Sequence, residues 1–281
     1  MAIRHILKTV TGTAAVDGAG VHLVRVIGPN DVHVFDPFLM LDAFDSTNPA
    51  DYVKGFPWHP HRGIETVTWL VTGSIEHGDS LGNKGLINDG CCQWMTAGSG
   101  IIHQEMPKAS PRMLGLQLWV NLPASAKMAA PKYRDLSAEK MPEVKENGAR
   151  VKIIAGEYRG TNGAMKGDYV DAVMLSIELD EGGSCEIPVV EKNTAFVYIL
   201  DGRISVGEEK EPIERRKALL LSEGDTVRIF APDKGGAQCV LFSGAPLREP
   251  IAWGGPIVMN TRDELDEAFR ELDEGSFIKH G

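Results

Sequence analysis

Two short segments carry donors at a spacing that could do metal chemistry. They are His59-Pro60-His61 and His103-Gln104-Glu105, each with ligand-type side chains at i and i+2. In an extended chain, alternate residues share a face. Each pair therefore points both side chains the same way, and two such strands facing each other bring three imidazoles and one carboxylate to one point. Taken singly, these residues have plainer accounts: loop histidines for His59 and His61, a satisfied core histidine for His103, a surface carboxylate for Glu105. Four ligand types at matched spacing, with strand and turn signals between them, favour a mononuclear metal site on a β-barrel. The donors are nitrogen and oxygen without thiolate, which suits Fe(II), Mn, Ni, Cu or Zn and argues against a structural zinc. Octahedral coordination by His59, His61, His103 and Glu105 leaves two positions for water, O2 or a chelating substrate.

The neighbours of these residues refine the expectation. Pro60 fixes its own φ, holds the segment extended and removes a ladder donor, so the first pair belongs at an edge or a strand start. Glu65 is four residues past His61. It is expected behind a ligand imidazole, with a fifth ligand or an ion pair to Arg62 as the other readings. His77 follows the Gly73 turn and is expected to be exposed. His5, His22, His33 and His280 have no partner at useful spacing and read as structural or solvated. Phe56 and Trp58 flank the first pair and either line the site or cover it. Of the adjacent Cys91 and Cys92, one is expected in the core and one outside.

The elements that must position these groups look like strands. Short apolar runs such as Thr66-Val67-Thr68-Trp69-Leu70-Val71, Leu114-Gly115-Leu116-Gln117-Leu118-Trp119-Val120 and Ala195-Phe196-Val197-Tyr198-Ile199-Leu200 are punctuated by 31 Gly and 16 Pro. That pattern suggests a β-sandwich or barrel. The 281 residues, 43% hydrophobic, suffice for two domains or one large β domain. A formal charge of -10 and a pI near 5.3 disfavour direct nucleic-acid binding and docking on an anionic membrane. No run approaches the roughly 20 apolar residues of a membrane span, and the start of the chain lacks the apolar core of a signal peptide. Four scattered cysteines suggest no disulfide framework. The expectation is a soluble, cytoplasmic protein.

The chain also repeats itself. Thr68-Trp69-Leu70-Val71-Thr72-Gly73 parallels Val197-Tyr198-Ile199-Leu200-Asp201-Gly202 at an offset of 129. At that offset His59 and His61 fall on Pro188 and Val190, and no histidine lies between His103 and His280. The second half is thus expected to be a barrel without ligands. The stretch 123–148 reads as the connection, with a helical turn over 136–140. Domains are expected at 1–135 and 136–281. A helical tail over about 261–275 opens on the capping box Thr261-Arg262-Asp263-Glu264. Its apolar stripe is Leu265, Ala268, Phe269 and Leu272, and Gly275 ends it.

These motifs resemble the pirin family, a branch of the cupin superfamily. The matching runs include His59-Pro60-His61-Arg62-Gly63-Ile64-Glu65-Thr66 and Gln93-Trp94-Met95-Thr96-Ala97-Gly98-Ser99-Gly100-Ile101-Ile102-His103-Gln104-Glu105, with others at 36–42, 76–85, 115–122, 246–250 and 255–261. The resemblance implies an all-β fold of two tandem cupin barrels, jelly-roll-like, with a short C-terminal helix. It implies metal in the N-terminal barrel only, bound by His59, His61, His103 and Glu105, and Fe(II) as the usual ion. It implies quercetin 2,3-dioxygenase-type activity, in which a flavonol is opened by O2 with release of carbon monoxide. In such a reaction Glu105 is expected to serve as both ligand and catalytic base. The alternative it carries is an iron-dependent redox sensor that binds a protein partner, a transcription factor or a metabolic enzyme, without turnover. Two positions depart from the family pattern. Trp58 stands where an acidic residue is common and is expected to narrow or cover the entrance. Cys91-Cys92 replaces an Asp-Val-like pair.

Overall fold

The computed structural model describes residues 2–209 and 211–280. Two compact units emerge. The metal-type residues fall in one, formed by Thr13–His33, Phe38–Ala138 and Leu247–Gly281. The other is formed by Met1–Gly12, Val34–Pro37 and Glu139–Pro246.

Strand β1 (Ile6–Thr11) belongs to the second of these units. The first holds β2 (Thr13–Asp17), β3 (Val21–Ile27), β4 (Phe38–Ser46), β5 (Phe56–His61), β6 (Ile64–Thr72), β7 (Ile75–Asp79), β8 (Lys84–Ile87), β9 (Cys92–Thr96), β10 (Ile101–Pro107), β11 (Met113–Asn121) and β12 (Lys132–Leu136). They form a seven-stranded sheet, β12-β9-β6-β11-β4-β3-β2, and a four-stranded sheet, β5-β10-β7-β8. The other unit adds β13 (Glu143–Glu146), β14 (Ala149–Ala155), the small hairpin β15 (Glu157–Tyr158) and β16 (Thr161–Asn162), β17 (Val173–Leu179), β18 (Ser184–Pro188), β19 (Thr194–Asp201), β20 (Arg203–Val206), β21 (Ile213–Glu214), β22 (Lys217–Leu221), β23 (Thr226–Phe230) and β24 (Ala237–Gly244). Its sheets run β1-β22-β19-β24-β17-β14-β13 and β18-β23-β20-β21. The two orders are the same order, strand for strand, as the internal repeat requires. Two tandem cupin barrels are therefore present. The chain ends in hairpin β25 (Ala252–Gly254) and β26 (Ile257–Met259) and a helix, here α2 (Arg262–Asp273); a one-turn helix, α1, spans Val32–Phe35.

The interiors of the two barrels differ in kind. The second is filled by Ile153, Leu175, Ile177, Val197, Ile199, Leu219 and their like in a single apolar cluster. Burying a carboxylate or imidazole within that cluster would be costly. In the first barrel, β6 carries buried Glu65, Thr66 and Thr68, β10 buried His103 and Glu105, and β11 buried Gln117. Buried polar groups of this density persist only where partners or a bound group compensate them.

The boundaries differ from 1–135 and 136–281 at both ends of the chain. Strand β1 pairs antiparallel with β22 and completes the second unit's sheet, in the position that β12 holds in the first. The tail 247–281, expected with the second half, belongs to the first unit, where Ile257 bridges Arg62 and Val258 N donates to Arg62 O. The region 123–148 is more than a connection. It forms β12, two 3-10 turns (Ala124–Ala126 and Ala138–Lys140) and β13. Helix α2 has the expected capping box, with Thr261 Oγ1 accepting from Glu264 N at 3.2 Å and Glu264 Oε2 accepting from Thr261 N at 2.9 Å. Of its apolar stripe, Leu265 and Ala268 are buried while Phe269 stays partly exposed.

Lys127 ties the tail hairpin to the barrel. Its buried ammonium donates to Gly63 O (2.8 Å), Val258 O (2.8 Å) and Asn121 Oδ1 (2.5 Å), one oxygen for each N–H. Lys127→Met strands all three acceptors out of water. We expect a loss of about 2–4 kcal/mol by urea denaturation; a change within 0.5 kcal/mol, on the order of an ordinary surface substitution, would contradict this role.

Candidate metal centre

The site begins with one strand pair. β5 and β10 run antiparallel with His103 opposite His59 and Ile101 opposite His61. The ladder then slips, so that Glu105 faces Phe56. Pro57 and Pro60 lack N–H groups, which fits a bulged edge strand. The result is a cluster in which one nitrogen from each of His59, His61 and His103 lies within 4.8 Å of the others. The ring centroids are 4.4 Å apart for His59 and His103, 4.8 Å for His59 and His61, and 5.1 Å for His61 and His103.

The hydrogen bonds decide which nitrogens are available. His59 Nδ1 lies 2.9 Å from Pro57 O and His61 Nδ1 lies 3.0 Å from Pro256 O. A carbonyl oxygen only accepts, so each Nδ1 carries the proton and each neutral ring has its lone pair on Nε2. These two Nε2 atoms face each other at 3.1 Å. Two lone pairs at that distance repel unless a positive charge lies against both. Two nitrogens held at about 2.1 Å by one metal ion come about 3 Å apart when they bind at adjacent positions. His103 is 0% exposed, and neither of its nitrogens has a hydrogen-bond partner among the described residues. Such an orphan is expensive in an apolar interior, and a bound cation would satisfy the nitrogen that carries the lone pair. The donor set thus fits a divalent metal ion.

Burial keeps the His61 and His103 rings neutral, as ligation requires. Desolvation, then the charge of His59, pushes the His61 pKa down to about 3. His103 is depressed well below the ordinary histidine value by desolvation and by its neighbours His61, His59 and His77.

Glu105 lies outside the three-imidazole cluster. It is buried, and its carboxylate accepts from Thr68 Oγ1 and Gln117 Nε2, both at 2.9 Å. Glu65 is fully buried between Trp94 Nε1 (3.0 Å) and Thr96 Oγ1 (2.6 Å). Arg62 pairs with the Glu271 carboxylate at 2.7 Å. His77 is a correction. Expected to be exposed, it is 2% exposed, because β7 pairs with β10 and sets it opposite Glu105, where it stacks on Tyr133 at 4.2 Å. Cys92 is buried and Cys91 half-buried, as expected. His5, His22, His33 and His280 are exposed.

Two of the imidazoles, His59 and His61, open onto a cavity of about 750 Å³. Phe56, Trp58, Trp119 and Trp253 line it, together with His59 and His61. Trp58 forms part of the cavity wall and is 53% exposed. Sequence reasoning gave no role to the tail hairpin. Yet Pro256 O orients His61, and Trp253 stands 5.7 Å from Trp119, whose ring meets His61 edge-on at 5.0 Å. The only signal was the motif at 255–261, which carries no titratable side chain in its first half.

Comparison with known proteins agrees with this architecture. The family model Pirin matches residues 20–120, and the model Pirin C-terminal cupin domain matches residues 174–278. The chain belongs to the pirin family. A pirin-like protein of Caulobacter vibrioides is 42% identical over 280 residues, covering 99% of this chain and 100% of the relative. Pirin of Rattus norvegicus is 40% identical over 265 residues, covering 92% of this chain and 89% of the relative. Among solved structures, quercetin 2,3-dioxygenase from Acinetobacter baumannii superposes with a TM-score of 0.88 at 32% identity, covering 98% of this chain and 99% of that one. Within the pirin frame, the candidate metal site lies in the N-terminal matched region, and the apolar barrel core overlaps the C-terminal one. No helix among the described residues is long and apolar enough to cross a membrane.

Proposed function

We propose that this pirin binds one divalent metal ion, Fe(II) in the cell, through His59, His61 and His103 with Glu105 as fourth ligand, and uses it to open a flavonol ring with O2. One observation carries the reading: three imidazole nitrogens lie close together, two with lone pairs face to face, and the rings of His59 and His61 line an aromatic cavity large enough for a three-ring ligand. The similarity to a quercetin 2,3-dioxygenase structure supports the choice of substrate and of O2 as co-substrate. Held by these residues, a metal ion would supply Lewis acidity toward a chelating enol. Mn, Ni, Cu and Zn satisfy the same donors.

The chain's own residues do the rest. Glu105 sits two residues from His103 on β10, and its carboxylate accepts the proton released by the flavonol 3-hydroxyl. Thr68 and Gln117 hold that carboxylate in place. The indole walls hold a flat ligand and exclude water. Cys91, Cys92, Cys185 and Cys239 are all free thiols, which suits a reducing cytoplasm.

Anaerobically purified protein should carry about one metal per chain, consume O2 with quercetin and release carbon monoxide. Tight metal without turnover would move the weight to the redox-sensing, partner-binding alternative. Glu105→Ala should lower kcat by about 100-fold or more while the three imidazoles retain some metal. Full activity in that variant contradicts a catalytic role for Glu105.

A further inference from the structure

The cavity has a polar end that the metal reading does not use. Arg25 on β3 faces Asp42 on β4 in register. Its Nε donates to Asp42 Oδ1 at 2.9 Å and its Nη2 to Asp42 Oδ2 at 2.7 Å, a bidentate pair with a carboxylate that is 3% exposed. Nη2 also donates to Asp17 Oδ2 at 2.8 Å. Asp17 Oδ1 accepts from Gly18 N at 2.8 Å, which fixes the carboxylate on its turn. Arg25, Asp17 and Asp42 all line the cavity that His59 and His61 line. Nη1 of Arg25 has no partner among the described residues, and the half-exposed Asp17 carboxylate keeps lone pairs to spare.

The chemistry of this end selects its ligand. Free guanidinium N–H groups call for an acceptor, and the Asp17 carboxylate beside them calls for a donor. One cation against two carboxylates leaves a net charge of -1, which repels a carboxylated or sulfated ligand. A hydroxyl pair on neighbouring aromatic carbons meets both demands: one O–H donates to Asp17 and the adjacent oxygen accepts from Arg25 Nη1. The Trp58, Trp119 and Trp253 rings favour a flat aromatic body attached to it.

We propose that Arg25 and Asp17 recognise a vicinal diol on an aromatic ring of the ligand, so that this pirin prefers flavonols whose pendant ring is catecholic. The inference rests on the flavonol reading above and adds a specificity site to it.

The test is binding of two probes to the metal-loaded full-length protein without O2, followed by quenching of tryptophan fluorescence. Quercetin carries the vicinal diol, and galangin is the same flavonol without hydroxyls on that ring. Quercetin should bind about tenfold or more tighter, as expected for a charge-assisted hydrogen-bond pair. Asp17→Asn keeps an oxygen for the Gly18 turn but loses the charge, and Arg25→Lys keeps the charge opposite Asp42 but loses the planar fork. Each should bring the preference within about threefold of parity. Equal affinity of the wild type for the two flavonols, or a full preference surviving both substitutions, overturns the proposal. O2 uptake on the same samples separates the two readings. Turnover without preference refutes the diol site and leaves the dioxygenase standing; preference without turnover does the reverse.

Discussion

His103→Leu should abolish metal binding and, at the same time, leave the metal-free protein as stable as the wild type or more so. The imidazole is fully buried and neither nitrogen has a protein partner among the described residues. Without a cation the ring carries its desolvation cost uncompensated, and an apolar side chain of similar size removes about 1–3 kcal/mol of that cost. In the wild type, metal at a thousandfold excess over its Kd adds about 4 kcal/mol. Thermal denaturation with and without metal therefore gives opposite orders for the two proteins. The variant should show no metal-dependent rise in Tm. A metal-free variant much less stable than metal-free wild type would mean that His103 is held by protein contacts, against the reading of the site.

The second large effect is expected from a residue that joins a ligand strand to the C-terminal tail. Arg62 is buried one residue past His61 and makes four contacts, three of them with the tail. It donates to Ser99 O at 2.7 Å, to Phe277 O at 2.9 Å and to Glu271 Oε2 at 2.7 Å, and it lies 4.2 Å over the Phe277 ring. Arg62→Met strands two carbonyls and removes the cation from Glu271, a loss of about 3 kcal/mol. The tail also supplies Pro256 O, the acceptor that fixes the His61 tautomer. Loosening it should weaken metal affinity about tenfold or more, as removal of a partner behind a ligand does elsewhere. Hydrogen exchange over 252–278 should speed up in the variant. Glu271→Gln keeps a hydrogen bond and should cost about 1 kcal/mol. Unchanged exchange and unchanged metal affinity in Arg62→Met would contradict the link between tail and site.

The histidine pairs could be read from the sequence because strand periodicity is local. A spacing of two means one face, whatever the partner strand. The repeat was legible for a similar reason, since β6 and β19 keep the same apolar run before a glycine, and the matched sheet orders follow from it. What was not legible depends on pairing between distant segments. Nothing near His77 reveals that β7 lies beside β10 rather than at the surface. Nothing near Ile6 reveals that β1 closes a sheet with β22. The role of Pro256 is carried by a backbone carbonyl, which leaves no trace in residue type. Glu105 sits at the limit of what spacing can tell. The period places it on the right face, but the slip between His103 and Glu105 sets it opposite Phe56, among Thr68 and Gln117.

The most direct measurement is anomalous diffraction at the iron edge from crystals of the protein loaded without oxygen. The account predicts a single strong peak, about 2.0–2.3 Å from one nitrogen of each of His59, His61 and His103. A peak at any other place on the chain, or no peak from fully loaded crystals, would contradict it.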